Sequence, residues 1–417
     1  MKGTNMTKKQ IQTDFKHIGV KDLSDVLGIT IKKDEANKVV TFLCQLSAYT
    51  ENAQFNVSYN APSSTGKSYI PTEIASLFPK EDVMELAYCS PTAFFHDVGK
   101  YDKAFNGYKI DLSRKILIFL DQPHNDLLAR LRPLLSHDRK EINLKITDKS
   151  QKMGLRTKNI LIRGYPSVIF CTAGLHIDEQ EATRFLLLSP EVNQEKIRAS
   201  IMASIQKESD RDLYNESLEN NLPRMQFAER IRAIRDENIQ EIKIGFQAEV
   251  EHRFFERRTV LKPRHQRDIK RITSLIKCFA LLNLWWRDRN GSTITANQED
   301  IAEAFCIWER IGVSQELNLP PYIYNLYTEV ILASWQDKAN AGRKSGLTRN
   351  DIAKKYYEVF EQMLDVTKFR QQILPMLETA GLVYQEADLN DKRKVLVFPN
   401  PTHAGTVQNN IVSVGVG

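Results

Sequence analysis

One segment of the sequence combines small residues, a lysine and a serine in the order that a phosphate-binding loop requires. It runs Ala61-Pro62-Ser63-Ser64-Thr65-Gly66-Lys67-Ser68. The alternating run QFNVSYN before it predicts a strand, and YIPTEIASLF after it predicts a helix. In that context we expect the backbone N–H groups of Ser64, Thr65 and Gly66 to surround phosphates. Lys67 would contact the β- and γ-phosphates of ATP, and Ser68 would hold Mg²⁺.

An aspartate ends an apolar run that follows the loop along the chain. The run is Ile116-Leu117-Ile118-Phe119-Leu120-Asp121. Apolar residues without alternation predict a strand that is buried on both faces of a parallel sheet. Because ATP-binding enzymes with such a loop hold Mg²⁺ with an aspartate at a strand end, we expect Asp121 to be the second magnesium ligand.

The next residue is Gln122, at a position where a carboxylate could activate the water that attacks ATP. An amide can orient water but cannot take its proton. Three interpretations stay open. In the first, the glutamine is natural and the water is oriented by its amide or by His124. In the second, it is an engineered substitution that removes hydrolysis and traps ATP. In the third, the protein naturally binds ATP and turns it over very slowly.

Two later residues follow in the order that a ring of ATPase subunits would need. The run Ser167-Val168-Ile169-Phe170-Cys171-Thr172 predicts a buried strand that ends in a small polar residue. Thr172 is therefore our candidate for a sensor of the γ-phosphate, with an ordinary strand-terminal threonine as the alternative. Arg184 precedes the short apolar run FLLLSP and is our candidate for an arginine finger, with an ordinary surface arginine as the alternative.

Positive charge is concentrated between the aspartate strand and the sensor strand. Residues 139–163 contain eight basic and two acidic residues, a local excess equal to the net charge of +6 of the whole chain. The runs EINLKI and TKNILIR predict two strands, with Lys149 and Lys152 near the tip that joins them. Such a hairpin is suited to binding DNA phosphates, although a solvated hairpin is the alternative.

The elements that must position these residues alternate between strands and helices up to about Glu191. That pattern predicts an α/β fold with a mainly parallel sheet. From Glu191 to Trp335 the chain reads as helical. Thr348 predicts the start of a helix over 349–360, a second helix is expected at about 368–380, and strands at 382–386 and 395–398 would complete a winged helix. We expect five segments: a tail with a short helical part (1–33), an ATPase core (34–190), a helical linker and lid (191–336), a winged-helix domain (346–400) and a flexible tail (401–417).

Composition excludes several classes of protein. Hydrophobic residues make up 42% and charged residues 26% of the 417 residues, which is typical of soluble globular proteins. The sequence has no apolar run long enough for a transmembrane helix, and its polar start does not resemble a signal peptide. The five cysteines lack the spacing of a zinc site, which predicts buried thiols and a cytoplasmic protein.

Together these motifs resemble the minichromosome-maintenance (MCM) branch of AAA+ helicases. The resemblance rests on NAPSSTGKS, ILIFLDQPH, the hairpin runs before SVIFCT, ATRFLLLSP and PRHQRDIKRI, over roughly residues 30–310. It is greatest with the MCM-like replicative helicases of bacterial mobile elements, such as staphylococcal cassette chromosomes.

The resemblance implies an AAA+ ATPase with a pre-sensor hairpin, a helical lid and a winged helix. Such a protein would form a homo-oligomer, a hexamer in this family, that moves on single-stranded and forked DNA. The resemblance also places Arg267 or Arg271 at the second sensor of the nucleotide, and we prefer Arg267. It also puts Lys149 and Lys152 in the DNA-contacting hairpin. Gln122 departs from the glutamate of the family.

Two other functions remain possible at this stage. An ATP-switched replication initiator or helicase loader would bind DNA without unwinding it, and Gln122 favours that interpretation. A σ54-type transcription activator shares the pre-sensor insertion, but the sequence has no GAFTGA-like loop.

Overall fold

A computed structural model describes most of the chain. The described residues are 15–87, 90, 100–148, 156–172, 184–256, 258, 260–341, 345–388, 391 and 393–400. The chain forms two compact units, Met1–Gly312 and Val313–Gly417.

The first unit contains ten α-helices, two short 3₁₀ helices (Lys80–Asp82 and Leu284–Trp286) and twelve strands within these described ranges. The helices are α1 (Val20–Leu27), α2 (Glu35–Ser47), α3 (Tyr69–Ala75), α4 (Asn125–Leu135), α5 (Gln194–Ser209), α6 (Arg211–Glu219), α7 (Leu222–Glu237), α8 (Gln247–Phe255), α9 (His265–Leu282) and α10 (Gln298–Leu317), the last of which crosses the unit boundary. The strands are β1 (Asn56–Asn60), β2 (Val83–Leu86), β3 (Lys100–Asp102), β4 (Gly107–Asp111), β5 (Ile116–Phe119), β6 (Glu141–Asp148), β7 (Arg156–Arg163), β8 (Ser167–Thr172), β9 (Phe185–Leu188), β10 (Glu241–Ile244), β11 (Asp288–Asn290) and β12 (Thr293–Ala296).

A five-stranded parallel sheet forms the centre of this unit, in the order β2-β5-β8-β1-β9. Strands β1, β5, β8 and β9 are buried along their whole length, as their apolar composition predicts. Alternate residues face opposite sides, so that Ile118 joins one apolar cluster with α2, α9 and α10, while Leu117 and Phe119 join another with α4. The predicted mixed α/β fold with a parallel central sheet is confirmed.

A second sheet of four strands, in the order β3-β4-β7-β6, lies beyond the amino ends of β5 and β8 along the chain. The expected hairpin is present, since β6 and β7 pair antiparallel from Glu141↔Arg163 to Asp148↔Arg156. Strand β4 pairs parallel with β7 and antiparallel with β3. Neither β3 nor β4 was predicted from the sequence, although the alternation of Tyr108 and Ile110 with charged residues was a usable signal for β4.

The region after Glu191 is not entirely helical, which corrects the sequence analysis. Strands β10, β12 and β11 form a small three-stranded sheet in which β10 and β12 are parallel and β11 and β12 antiparallel. Ile294 and Ala296 are fully buried and alternate with threonines, which is a strand pattern. Gly291, at φ +61°, provides the left-handed turn between β11 and β12.

The second unit contains helices and one hairpin among its described residues. The helical segments are α11 (Pro321–Leu326), a π-helical segment (Tyr327–Leu332), α12 (Ala333–Asn340), α13 (Arg349–Phe360), α14 (Val366–Lys368), a second π-helical segment (Phe369–Ile373) and α15 (Leu374–Thr379). The hairpin consists of β13 (Val383–Ala387) and β14 (Val395–Pro399).

The start of α13 was predicted from its capping residue. The Thr348 hydroxyl accepts a hydrogen bond from the Asp351 amide, and the Asp351 carboxylate accepts one from the Thr348 amide. This reciprocal pair satisfies two backbone donors that a helix otherwise leaves unbonded. The helix over 349–360 and the hairpin after Gly381 are confirmed within one residue at each end.

One of the described cysteines departs from the expectation of buried thiols, and Cys89 lies outside the described residues. Cys44, Cys171 and Cys278 are buried free thiols, whereas Cys306 on α10 is exposed.

Candidate nucleotide site

The phosphate loop, Asp121, Gln122 and Thr172 meet at the carboxyl edge of the central sheet. Strand β1 ends at Asn60 and leads into the loop 61–68, and Asn60 is in register with Thr172 at the end of β8. On the other side of β8, Phe119 is in register with Phe170. Asp121 follows Phe119 by two residues, as Thr172 follows Phe170. The loop, Thr172 and Asp121 therefore lie side by side, with neighbouring strands about 4.8 Å apart.

The backbone of the phosphate loop includes two left-handed residues, a conformation that glycine adopts more easily than serine. Ser64 has φ +65° and Gly66 φ +88°, both in the left-handed region. The Thr65 hydroxyl donates to the Pro62 carbonyl oxygen at 3.0 Å and closes the turn. No atom lies within 4 Å of the position that a Cβ on Gly66 would occupy, so space is left open beside the loop. A phosphate approaching the backbone would need that space.

Cys171 lies on β8, between β1, which leads into the phosphate loop, and β5, which leads to Asp121. Its thiol donates to the Lys67 carbonyl oxygen at 3.4 Å. Burial raises the pKa of this thiol to about 12, while the charge of Lys67 and a hydrogen bond with Ser68 act against the increase and Asp121 adds to it. Lys67, Ser68 and Asp121 are thus all close to the buried, neutral thiol of Cys171. The sequence analysis did not single out Cys171, although its position beside Thr172 on a buried strand was visible.

Gln122 is held by the candidate sensor. The Thr172 hydroxyl donates to the Gln122 side-chain oxygen at 3.1 Å. Thr172 is buried, whereas Asp121 and Gln122 are exposed at the sheet edge. The amide oxygen keeps a second lone pair and the NH₂ group can donate, so the side chain can form hydrogen bonds with a water but cannot take its proton. A water beside it can be positioned but not deprotonated.

His124 has a structural function in this arrangement. It precedes α4, and its Nδ1 accepts a hydrogen bond from the Asp126 amide at 3.2 Å. An Nδ1 that accepts a backbone hydrogen bond is not available as a base. Capping of α4 therefore explains the position of the His124 side chain, and a contact with the attacking water is not needed to explain it.

Arg184 lies at the opposite edge of the sheet from the loop. It precedes Phe185, which pairs with Asn56 at the amino end of β1. The loop follows Asn60, so the length of β1 separates the two, about 13 Å at 3.3 Å per residue. The Arg184 side chain donates through Nε to the Ser136 hydroxyl at 2.7 Å, at the carboxyl end of α4. Arg184 therefore cannot reach a phosphate in the loop of its own chain.

The two candidates for the second sensor have different environments. Arg271 is buried, donates to the Phe185 carbonyl oxygen at 2.9 Å, and lies 3.3 Å from the Asp268 carboxylate. Burial lowers the pKa of its guanidinium to about 10, and Asp268 opposes that decrease. Arg267 is exposed on the same helix. Since Arg271 contacts the residue after Arg184, the start of α9 lies at the same edge as the candidate finger.

Replacing Asp268 with asparagine is expected to destabilise the protein by about 3–5 kcal/mol, because it leaves buried arginines without their carboxylate. Asp268 is 0% exposed and also pairs with Arg264 at 3.2 Å. Urea denaturation followed by circular dichroism measures the effect. Gln266→Ala, at an exposed position on the same helix, is the matched control and should stay within about 0.5 kcal/mol. A loss below about 1 kcal/mol for Asp268→Asn would contradict the assignment of this pair as a buried support.

The hairpin residues proposed to bind DNA are only partly described. Lys149 and Lys152 lie outside the described residues. Two of the basic residues at the base of the hairpin form ion pairs, Lys140 with Glu51 at 2.6 Å and Arg163 with Asp111 at 2.9 Å. The positive charge at the base is therefore partly neutralised by neighbours.

Comparison with protein-family models and with curated proteins gives no match. Among solved structures, one described as "SCCmec type IV Cch - active helicase" is similar to this chain. The identity is 14%, the likeness covers 93% of this chain and 68% of that one, and the TM-score is 0.30. A likeness of this size does not assign a role to any residue. In the part of the chain that the structure describes, no helix is long and apolar enough to cross a bilayer.

Proposed function

We propose that this protein is an ATP-dependent DNA helicase of the MCM-like AAA+ kind, acting in the replication of a mobile element. The observation that supports the proposal most is the alignment of the phosphate loop, Thr172 and Asp121 at one sheet edge. Each of these groups comes from a different strand, and only the fold brings them together. A chance resemblance of the loop sequence would not bring the other two beside it.

The residues present fit ATP with Mg²⁺. The backbone is open beside Gly66, and Lys67 provides the cation for the terminal phosphates. Ser68 and Asp121 offer the oxygen ligands that Mg²⁺ prefers. When bound, the ion would neutralise charge on the phosphates. Thr172 and Gln122 would orient the attacking water.

Arg184 would act on the nucleotide of a neighbouring subunit, because its own loop is out of reach. The start of α9, with Arg267 and Arg271, lies at the same edge and would approach the same neighbour. This arrangement requires a homo-oligomer, and we propose a hexameric ring. The β6–β7 hairpin with Lys149 and Lys152 would contact single-stranded DNA, the helices after Glu191 would form the lid, and α13 to β14 would be a winged helix.

A second candidate is an initiator or loader that uses ATP as a switch. The glutamine at position 122 favours it, since an amide is too weakly basic to take a proton from the attacking water. Such a protein would bind DNA in an ATP-dependent ring but would not separate strands.

Unwinding of a labelled forked DNA distinguishes the two functions. Purified wild-type protein, Gln122→Glu and Lys67→Ala would be assayed with ATP and Mg²⁺. For a helicase, Gln122→Glu unwinds the fork and Lys67→Ala does not, and the wild type shows how far Gln122 limits the motor. If wild type and Gln122→Glu both bind ATP and form rings on DNA without unwinding, the initiator or loader is the correct function.

A further inference from the structure

A buried ion pair lies behind the phosphate loop, outside the predicted site. Asp34, the residue before α2, is 0% exposed, and Lys196, in the first turn of α5, is 9% exposed. Their side chains form an ion pair. The two residues are far apart in the sequence and belong to elements on either side of the loop in chain order. The sequence analysis missed both, because one aspartate and one lysine at helix starts give no distinctive signal.

Asp34 is fixed by several contacts besides the lysine. One carboxylate oxygen accepts hydrogen bonds from the Asn37 side chain at 2.8 Å and from the Glu191 amide at 2.7 Å. Lys33 and Asp34 have φ of +58° and +57°, so two successive residues with side chains are left-handed. Each such residue costs of order 1–3 kcal/mol and persists only where the surroundings enforce it. The carboxylate is therefore held in one place at a cost to the backbone.

Lys196 links the Asp34 carboxylate to the phosphate loop. Its ammonium group lies 2.9 Å from the Glu191 carbonyl oxygen and 3.5 Å from the Thr65 carbonyl oxygen. In a trans peptide the C=O and the following N–H point in opposite directions. A cation that holds the Thr65 carbonyl oxygen on its own side therefore directs the Gly66 N–H to the other side of the loop. No atom lies within 4 Å of the position that a Cβ on Gly66 would occupy, so the side of the loop away from Lys196 is not filled there.

We propose that the Asp34–Lys196 pair positions the phosphate loop for the nucleotide, with Lys196 as a second, non-contacting lysine of the site. The inference rests on the proposed nucleotide site. Lys196 acts through the Thr65 carbonyl and not on the phosphates. A buried ion pair adds little stability over an apolar pair of the same shape, so stability alone does not account for it.

The test measures affinity and stability separately, on the full chain. The dissociation constant for Mg²⁺·ADP is determined by titration calorimetry for wild type, Lys196→Met and the double variant Asp34→Asn/Lys196→Met. Lys207→Met, on the same helix, is the matched control. Lys196→Met should weaken binding about tenfold or more. It should also lower the melting temperature, because the Asp34 charge remains buried without its partner.

The double variant separates positioning from folding. With both charges removed, the melting temperature should recover much of the loss, while the dissociation constant stays raised about tenfold. Should Lys196→Met fail to fold, the double variant still gives this result. If the double variant binds Mg²⁺·ADP as tightly as wild type, the pair is only structural and the inference is wrong.

Failure of the proposed function has a different signature. In that case wild type does not bind Mg²⁺·ADP, and Lys67→Ala behaves in the same way. Both proposals would then be withdrawn. If wild type binds, Lys67→Ala does not, and Lys196→Met equals wild type, only the positioning inference is overturned.

Discussion

Gln122→Glu is expected to raise the rate of ATP hydrolysis by about 10²–10⁴-fold, the usual contribution of a general base. The Gln122 oxygen accepts a hydrogen bond from Thr172 and leaves an NH₂ group at the exposed edge. A carboxylate at this position could keep the bond to Thr172 with one oxygen. Its second oxygen would then be available to accept a proton from water. The increase should appear in steady-state phosphate release, with and without single-stranded DNA.

The control for this substitution adds the same charge elsewhere. Gln266→Glu, at an exposed position on α9, should leave the rate unchanged. Binding of Mg²⁺·ADP by Gln122→Glu should stay within about twofold of wild type, because Gln122 is not expected to contact the phosphates. A Gln122→Glu protein that hydrolyses ATP no faster than wild type would show that activation of water does not depend on residue 122.

Arg184→Ala is expected to lower hydrolysis by about 10³-fold or more, the effect of an arginine finger, while ATP binding is retained. The substitution would be made in the Gln122→Glu background, so that the starting rate is high enough to measure. We expect this loss because Arg184 lies at the amino edge of the sheet, too far from the phosphate loop of its own chain. It would therefore contact only a nucleotide bound to a neighbouring subunit.

Mixing subunits tests that position directly. On the proposed function a site combines Lys67 from one subunit with Arg184 from the next, so Lys67→Ala and Arg184→Ala proteins are each expected to be inactive alone. Mixed together, they should recover part of the activity, because some interfaces then combine two intact partners. Arg198→Ala, an exposed arginine on α5, is the matched control and should remain fully active. No recovery on mixing would show that Arg184 does not act between subunits.

The central sheet was predictable because each strand has its own local signal. The run 116–119 is apolar throughout, and β1 is followed directly by the loop with Lys67. The order of the strands was not predicted. That order is what puts Thr172 between the loop and Asp121, and it depends on long-range pairing that local periodicity does not contain.

The parts that were missed depend on tertiary contacts. Strands β3 and β4 are short and are completed by β7, so the sequence around Lys100 gives little indication of them by itself. The pairing of Asp34 with Lys196 joins elements that nothing in the sequence connects. Arg271 reads as one more basic residue in a charged segment, and only burial against Asp268 and Phe185 distinguishes it.

Two short connections, residues 112–115 and 164–166, join the strand pair β4–β7 to the strand pair β5–β8. Asp111 is paired with Arg163 at the end of one sheet, and Ile116 is paired with Ser167 at the start of the next. Between them the Leu112 amide donates to the Arg163 carbonyl oxygen at 2.8 Å, and the Ser167 amide to the Lys115 carbonyl oxygen at 3.0 Å. The four-stranded sheet is thus joined to the central sheet by two short connections that are hydrogen-bonded to each other's strands, although Arg114 and Gly164 within them are left-handed. A tilt of β5 and β8 at the Asp121 edge would be expected to move β4 and β7 with it.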